Sequence, residues 1–327
     1  GYRGLRLGLP VFWRLHGGWG RPRPDVVYIA TQGPLGHAAL AAARALGIPT
    51  VTGFHTQFHQ YSRHYGLGIL TEPIARTLRH FHNRSDATLV PTADLRDELS
   101  AAGFRNVHVF GRGVDVHLFS PARRDAAMRH DWGCEDEDLA ILYVGRMAAE
   151  KNLDLVRETF EALKAVDPRA RCVLVGDGPA LGHLNRDHPH YVCRGARVGE
   201  DLAAHYASGD LFLFPSLTET YGNVVLEAMA SGLAVLAFDY AAAHCCIVAG
   251  VNGVTVPAGD HAAFQAAALH MAGDPAALRA MGRAARVSAE GMSWDRVLVG
   301  VEERLLTVVR QRPGPERRDE IVATTAE

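Results

Sequence analysis

The chain has 327 residues, which is long for a single core and suits about two domains. A formal net charge of −2 carries no basic nucleic-acid footprint, and 48% hydrophobic residues is ordinary for a globular protein. No apolar run reaches the roughly 20 residues a membrane-spanning helix needs, and five cysteines without CxxC spacing read as a reduced cytoplasmic protein.

In chain order, residues 1–24 are rich in Arg, Gly and Pro and show no clear period. Strand and helix patterns then alternate. Residues 26–30 read as a buried strand, 35–46 as an Ala-rich helix and 49–54 as the next strand. A helical pattern covers 69–82, a strand 88–91, and Thr92 is placed to N-cap a helix running to 101. Residues 107–110 form a further short strand. The stretch Gly111-Arg112-Gly113-Val114-Asp115, with Pro121 beyond it, suits a hinge between domains.

The second half alternates more plainly. Strands are expected at 140–144, 172–175, 191–193, 211–214 and 234–238, with helices at 153–166, 201–207 and 224–231. This is the pattern of βαβ units and a parallel sheet. Ala-rich helices fill 260–289, an amphipathic helix runs from 294 to 310, and 311–327 has the composition of a disordered tail. The expected architecture is α/β: two doubly wound, Rossmann-like domains facing each other across a cleft. The expected domains are 1–114 and 115–293, followed by the helix and the tail. The first domain reads as incomplete at its start, because the chain begins at Gly1 and supplies only about four strands there.

The chemistry concentrates in the stretch from Pro215 to Ala230. Glu219 and Glu227 stand eight positions apart, with a turn at Gly222 and a helix start between them. Helix N-termini bind anions, and carboxylates bind hydroxyls. Arg146 leaves the strand 140–144, and Lys151 precedes the next helix. Lys151 and Lys164 are the only lysines of the chain. An arginine fork and a lysine point charge can together neutralise a diphosphate; a solvated basic edge is the plainer reading of either alone. Gly178 lies in a tight turn after a strand, and Arg197 and Val198 leave the next strand, where their backbone can meet a base. His55 ends the strand 49–54. His59 and His64 lie nearby, and the His55–His59 spacing would match two metal ligands on one helix, but no Cys or carboxylate completes a site, so no metal is assigned.

Together these residues resemble the family-4 retaining glycosyltransferases of GT-B fold, over nearly the whole chain, with the nearest likeness to mannosyltransferase-like and sulfoquinovosyltransferase-like members. The likeness rests on Gly145-Arg146 with Glu150-Lys151, on the turn from Val175 to Pro179, and above all on Glu219 to Glu227. It implies transfer of a hexose, of mannose or glucose type, from a GDP-, UDP- or ADP-sugar to an acceptor hydroxyl with retained configuration. It implies no cofactor and no obligatory metal. Arg146 and Lys151 would hold the donor diphosphate, and Gly222, Asn223 and Val224 would offer backbone N–H groups. Glu227 would bind the ribose, while Glu219 and His55 would contact the donor sugar. The acceptor would be lipid-linked or a saccharide. The basic residues Arg63, His64, Arg76, Arg79, His80 and Arg84 around an apolar stretch would allow peripheral contact at the inner face of the membrane; a solvated helix face reads equally. A sugar-nucleotide epimerase and a donor-binding fragment without turnover are the alternatives. The family's first strand and acceptor-side Gly-rich loop are missing from this chain, and His244-Cys245-Cys246 stands where relatives carry polar residues. A chance substitution or a packed cysteine pair is expected there, rather than a redox device.

Overall fold

The structure is a computed structural model that describes residues 8–54, 71–219 and 221–311. It divides into two compact units, Gly1–Gly111 with Val297–Glu327, and Arg112–Arg296.

The first unit holds a parallel sheet of four strands in sequential order: β1 (Val27–Ile29), β2 (Thr50–Gly53), β3 (Ala87–Val90) and β4 (Val107–Val109). Each lies within a residue or two of its expected span. Helices connect the strands, as parallel pairing requires. Thr92 caps the helix Ala93–Ala101, its hydroxyl accepting from the Leu95 amide at 3.2 Å. Two features depart from the sequence reading. Residues Phe12–Gly18 form a helix inside the stretch read as aperiodic, which buries none of its residues and so leaves no apolar period to detect. The helix Trp294–Gln311 does not stand apart: its Val308, with Val301 and Leu305, packs on Val51, Ala87 and Leu89 of this sheet.

The second unit holds six parallel strands. They are β5 (Ala140–Val144), β6 (Arg171–Val175), β7 (Val192–Gly195), β8 (Leu211–Phe214), β9 (Ala234–Phe238) and β10 (Val254–Val256), in the order β10-β9-β8-β5-β6-β7. The strand β10 was not expected: it has three residues, sits at the edge and follows a glycine-bounded turn, so it carries little pattern. The middle strands are apolar along their whole length because helices cover both faces; Leu142, Val173, Phe212, Leu213 and Leu236 are fully buried. Burial of each such side chain contributes about 1.5–3 kcal/mol. At the amino ends of the strands the buried Arg129 ties the unit together. It donates to the Ser208 carbonyl (2.8 Å), the Asp138 carbonyl (2.7 Å) and the Asp210 carboxylate (3.0 Å).

Read from β7, this sheet has the doubly wound order 3-2-1-4-5-6. Its direction reverses between β5 and β8, which pair in register at Ile141–Leu211 and Leu142–Phe212. Beyond the carboxyl ends of the strands at such a reversal, loops part and leave a crevice.

Candidate active site

Both loops that border this crevice carry the charged residues. From β5 the chain passes through Gly145 and Arg146 into the short turn Ala149–Lys151, then into the helix Leu153–Val166. From β8 it passes through Ser216 and Glu219 to Gly222, which N-caps the helix Asn223–Ala230. The Leu217 amide donates to the Glu150 carbonyl at 3.0 Å and joins the two loops. They enclose a cavity of about 300 Å³ whose lining includes Arg112, Arg146, Lys151, Glu219, Gly222 and Asn223.

Inside it the charges are paired. Lys151 Nζ donates to Glu219 Oε1 and approaches Ser216 Oγ at 3.3 Å and the Thr218 carbonyl at 3.4 Å. Ser216 Oγ in turn donates to Glu219 Oε1 at 2.9 Å. Arg146 Nη1 pairs with the buried Glu150 at 3.2 Å. The Tyr143 hydroxyl, beneath this loop, donates to the Arg146 carbonyl at 3.1 Å. Burial, with the nearby Glu219 and Glu150 charges, pushes the Tyr143 phenol well above its ordinary pKa, so it stays a donor. Burial and Glu219 do the same to Tyr240.

Gly222 sits at φ +89°, a left-handed conformation that favours glycine. No side chain caps the helix it starts. The first N–H groups of a helix have no acceptor one turn back; here the Val225 amide donates to the Gly222 carbonyl at 3.0 Å, and Asn223 and Val224 line the cavity together with Arg146 and Lys151. One turn on, Glu227 accepts from the Tyr206 hydroxyl at 2.9 Å. Burial raises the Glu227 pKa, and the Tyr206 bond partly opposes this. Two cations, an uncapped helix start and a carboxylate in one crevice can hold a phosphorylated ligand that also bears hydroxyls.

Two models of sugar-transferring families match the chain. Residues 1–118 match Glycosyltransferase Family 4 and residues 138–274 match Glycosyl transferases group 1. A GDP-mannose-dependent alpha-mannosyltransferase of Mycolicibacterium smegmatis is 35% identical over 86% of this chain and 74% of its own length. The enzyme of the same name from Mycobacterium tuberculosis is 36% identical over 78% of this chain and 66% of its own. The chain belongs to the family-4 glycosyltransferases. A sulfoquinovosyl transferase of Arabidopsis thaliana is 35% identical over 72% of this chain and 47% of its own length, so the chain spans about half to three quarters of these relatives. Among solved structures, the sucrose-phosphate synthase of Thermosynechococcus elongatus superposes with a TM-score of 0.76 at 17% identity, over 92% of this chain and 77% of its own. HepE of Anabaena, in complex with UDP and glucose, superposes with a TM-score of 0.74 at 19% identity, over 90% of this chain and 81% of its own. The fold is the GT-B fold of such glycosyltransferases.

In this family-4 glycosyltransferase, Arg146, Lys151, Glu219, Gly222, Asn223 and Val224 line one cavity, while Glu227 lies on the helix behind it. Gly178 is not part of the lining. A Cβ there would lie 2.4 Å from the Met147 carbonyl oxygen, so this glycine lets the loops after β5 and β6 pack backbone to backbone. The Arg197 guanidinium turns to the Arg194 carbonyl (2.9 Å) and Asp201 (3.1 Å), and the Val198 side chain is exposed. His55, with His59 and His64, lies outside the described residues, as do residues 312–327.

Sequence reasoning passed over four residues of the site: Arg112, read as hinge, and Ser216, Tyr143 and Tyr240, whose roles come from tertiary neighbours. The cysteines are not a packed pair. Cys246 is buried with its Sγ 3.5 Å from the hydroxyl of cavity-lining Tyr221, while Cys245 is exposed. Burial raises the Cys246 pKa and keeps it a thiol. A second cavity of about 270 Å³, lined by Leu163, Leu278, Asp138 and Arg279, opens at the amino ends of the strands. That is the wrong end for a ligand of an open α/β sheet.

Proposed function

We propose that this chain transfers a hexose from a nucleotide-diphosphate sugar to an acceptor hydroxyl with retained anomeric configuration. The observation that carries it is the convergence of Arg146, Lys151, Glu219 and the start of the helix Asn223–Ala230 on one cavity. Arg146 and Lys151 exchange their carboxylate partners for the donor diphosphate, and the helix N–H groups complete its cradle. As the bond to the sugar breaks, negative charge grows on the leaving phosphate, and fixed donors stabilise that charge most. Glu219, freed from Lys151, takes the sugar hydroxyls, and Glu227 takes the ribose. The names of the Mycobacterium and Mycolicibacterium relatives support GDP-mannose as the donor. A lipid-bound acceptor is supported by an alpha-monoglucosyldiacylglycerol synthase of Streptococcus pneumoniae, 27% identical over 65% of this chain and 51% of its own length. Among the described residues no helix is long and apolar enough to cross a bilayer. No metal takes part in the transfer.

The test is incubation with labelled GDP-mannose, UDP-glucose and ADP-glucose, with lipid and saccharide acceptors, in EDTA. The expected product is an α-mannoside made from GDP-mannose. Free epimerised sugar nucleotide, or donor binding with no glycoside from any donor, overturns the reading.

A further inference from the structure

On the flank of the second unit, Glu161 of the helix Leu153–Val166 meets His188 and His190, which bracket Pro189 just before β7. One ligand atom from each of the three side chains lies within 4.8 Å of the others. One buried ring arranges them. The His188 imidazole stacks on Tyr191 at 4.8 Å with an interplanar angle of 11°. His190 stands edge-on to the same ring at 4.6 Å and 77°. The Tyr191 hydroxyl donates to Glu161 Oε1 at 2.7 Å, and His190 Nε2 lies 3.1 Å from that oxygen. Tyr191 is itself fixed, packed edge-on against Phe160 at 5.1 Å. The side chains of Glu161 and His190 remain 43% and 39% exposed, so an ion has a path from solvent.

We propose that Glu161, His188 and His190 bind one zinc-class divalent cation, with a water in the fourth position. Two imidazoles and a carboxylate suit zinc, whereas magnesium demands oxygen ligands. Tetrahedral bonds of about 2.0–2.2 Å place ligand atoms about 3.4 Å apart. The three side chains reach that spacing by closing around an ion that replaces the direct His190–Glu161 contact. The Tyr191 hydroxyl then orients the carboxylate from behind, the usual place for a supporting hydrogen bond at a metal. Lys164 opposes the ion: its charge acts on Glu161, while its ammonium sits over the Phe160 ring at 5.7 Å. The ion fastens the helix to the edge of the sheet and shares no residue with the donor cavity.

The full chain is titrated with Zn²⁺, and separately with Mg²⁺, by calorimetry and thermal unfolding. The probes are the wild type, Glu161→Gln, His188→Ala, His190→Ala and the neighbouring control His183→Ala. Zinc is expected to bind at one equivalent through this cluster and to raise the melting temperature, as ligands of the folded state do. Each of the three ligand variants weakens that equivalent at least tenfold and abolishes the rise, His183→Ala leaves both intact, and Mg²⁺ has no effect. Glu161→Gln keeps an acceptor for Tyr191, so loss of a ligand is separated from loss of the fold. If the three variants keep the wild-type zinc isotherm, or the wild type binds no zinc, the cluster is a hydrogen-bonded contact only and the proposal fails.

Discussion

Lys151 and Glu219 form an ion pair across the reversal point of the second sheet, and the buried Ser216 hydroxyl touches both, at 3.3 Å from Nζ and 2.9 Å from Oε1. The two residues come from different loops, after β5 and after β8, so the pair records the parallel alignment of those strands. It also holds a cation ready for phosphate and a carboxylate ready for hydroxyls.

Lys151→Ala leaves Glu219 facing Ser216 without its ion-pair partner. The two side chains are 13% and 15% exposed, so the loss of stability is set at about 1–3 kcal/mol, below the 3–5 of a fully enclosed pair. Denaturation in urea measures it. Turnover falls about 10²–10³-fold, the scale of one lost donor to a developing charge. A variant that keeps the wild-type rate with GDP-mannose removes Lys151 from the leaving-group role.

Glu227→Gln separates stability from binding. Burial lifts the Glu227 pKa above its ordinary 4.5. Between 4.5 and the raised value the folded chain holds more protons than the unfolded one. Stability therefore falls as pH rises through this window, and above it the whole cost of the buried charge is present. The amide removes that cost and still accepts from Tyr206. The variant melts a few degrees higher than wild type at pH 7, and the difference shrinks below pH 4.5. Donor affinity moves the opposite way, about tenfold weaker, because the charged acceptor for ribose is gone. Melting curves across pH with donor titration check both; equal donor affinity withdraws Glu227 from the site.

The parts of this fold legible in the sequence are those whose signal is local. The strands 140–144, 211–214 and 234–238 are unbroken apolar runs because both faces are buried, and their spans agree with the structure to the residue. Glu219, Arg146 and Lys151 stand out because charge next to such a run needs a reason. Ser216, Tyr143 and Tyr240 do not stand out. A serine in a loop and a tyrosine in or after a strand are ordinary, and only the pairing of β5 with β8 and the loops beyond turns them towards Lys151 and Glu219. Gly178 shows the converse: a Gly-Asp-Gly turn reads alike whether the glycine faces a ligand or another backbone.

Gly178→Ala and Gly222→Ala tell those two uses apart. At Gly178 the new methyl meets the Met147 backbone at 2.4 Å, so the loops after β5 and β6 must part. A loss of about 1–3 kcal/mol is expected, as for overpacking. At Gly222 the nearest neighbour of the methyl is a Phe214 ring atom at 3.4 Å, and the main cost is the left-handed backbone, about 1–2 kcal/mol. Donor affinity distinguishes them. Once folded, Gly178→Ala binds within about threefold of wild type, whereas Gly222→Ala, which shifts the helix N–H groups, binds at least tenfold more weakly, as loss of more than 1.4 kcal/mol requires. The reverse order places the phosphate at Gly178 instead.

Ser216→Ala asks whether the Lys151–Glu219 pair needs its hydroxyl bridge. Ser216 is 1% exposed, so the alanine adds no clash and leaves a small void beside two charges that each lose a hydrogen-bond partner. The stability cost is about 1–2 kcal/mol, the scale of hydrogen bonds to charged groups. Both charges remain, so donor affinity stays within about threefold. Their aim at the sugar and the leaving phosphate loosens, so turnover falls about tenfold, since small misplacements act on the rate more than on binding. Steady-state rates beside equilibrium donor binding read the two separately. A variant that loses affinity with an unchanged rate shows instead that Ser216 holds the donor in its ground state.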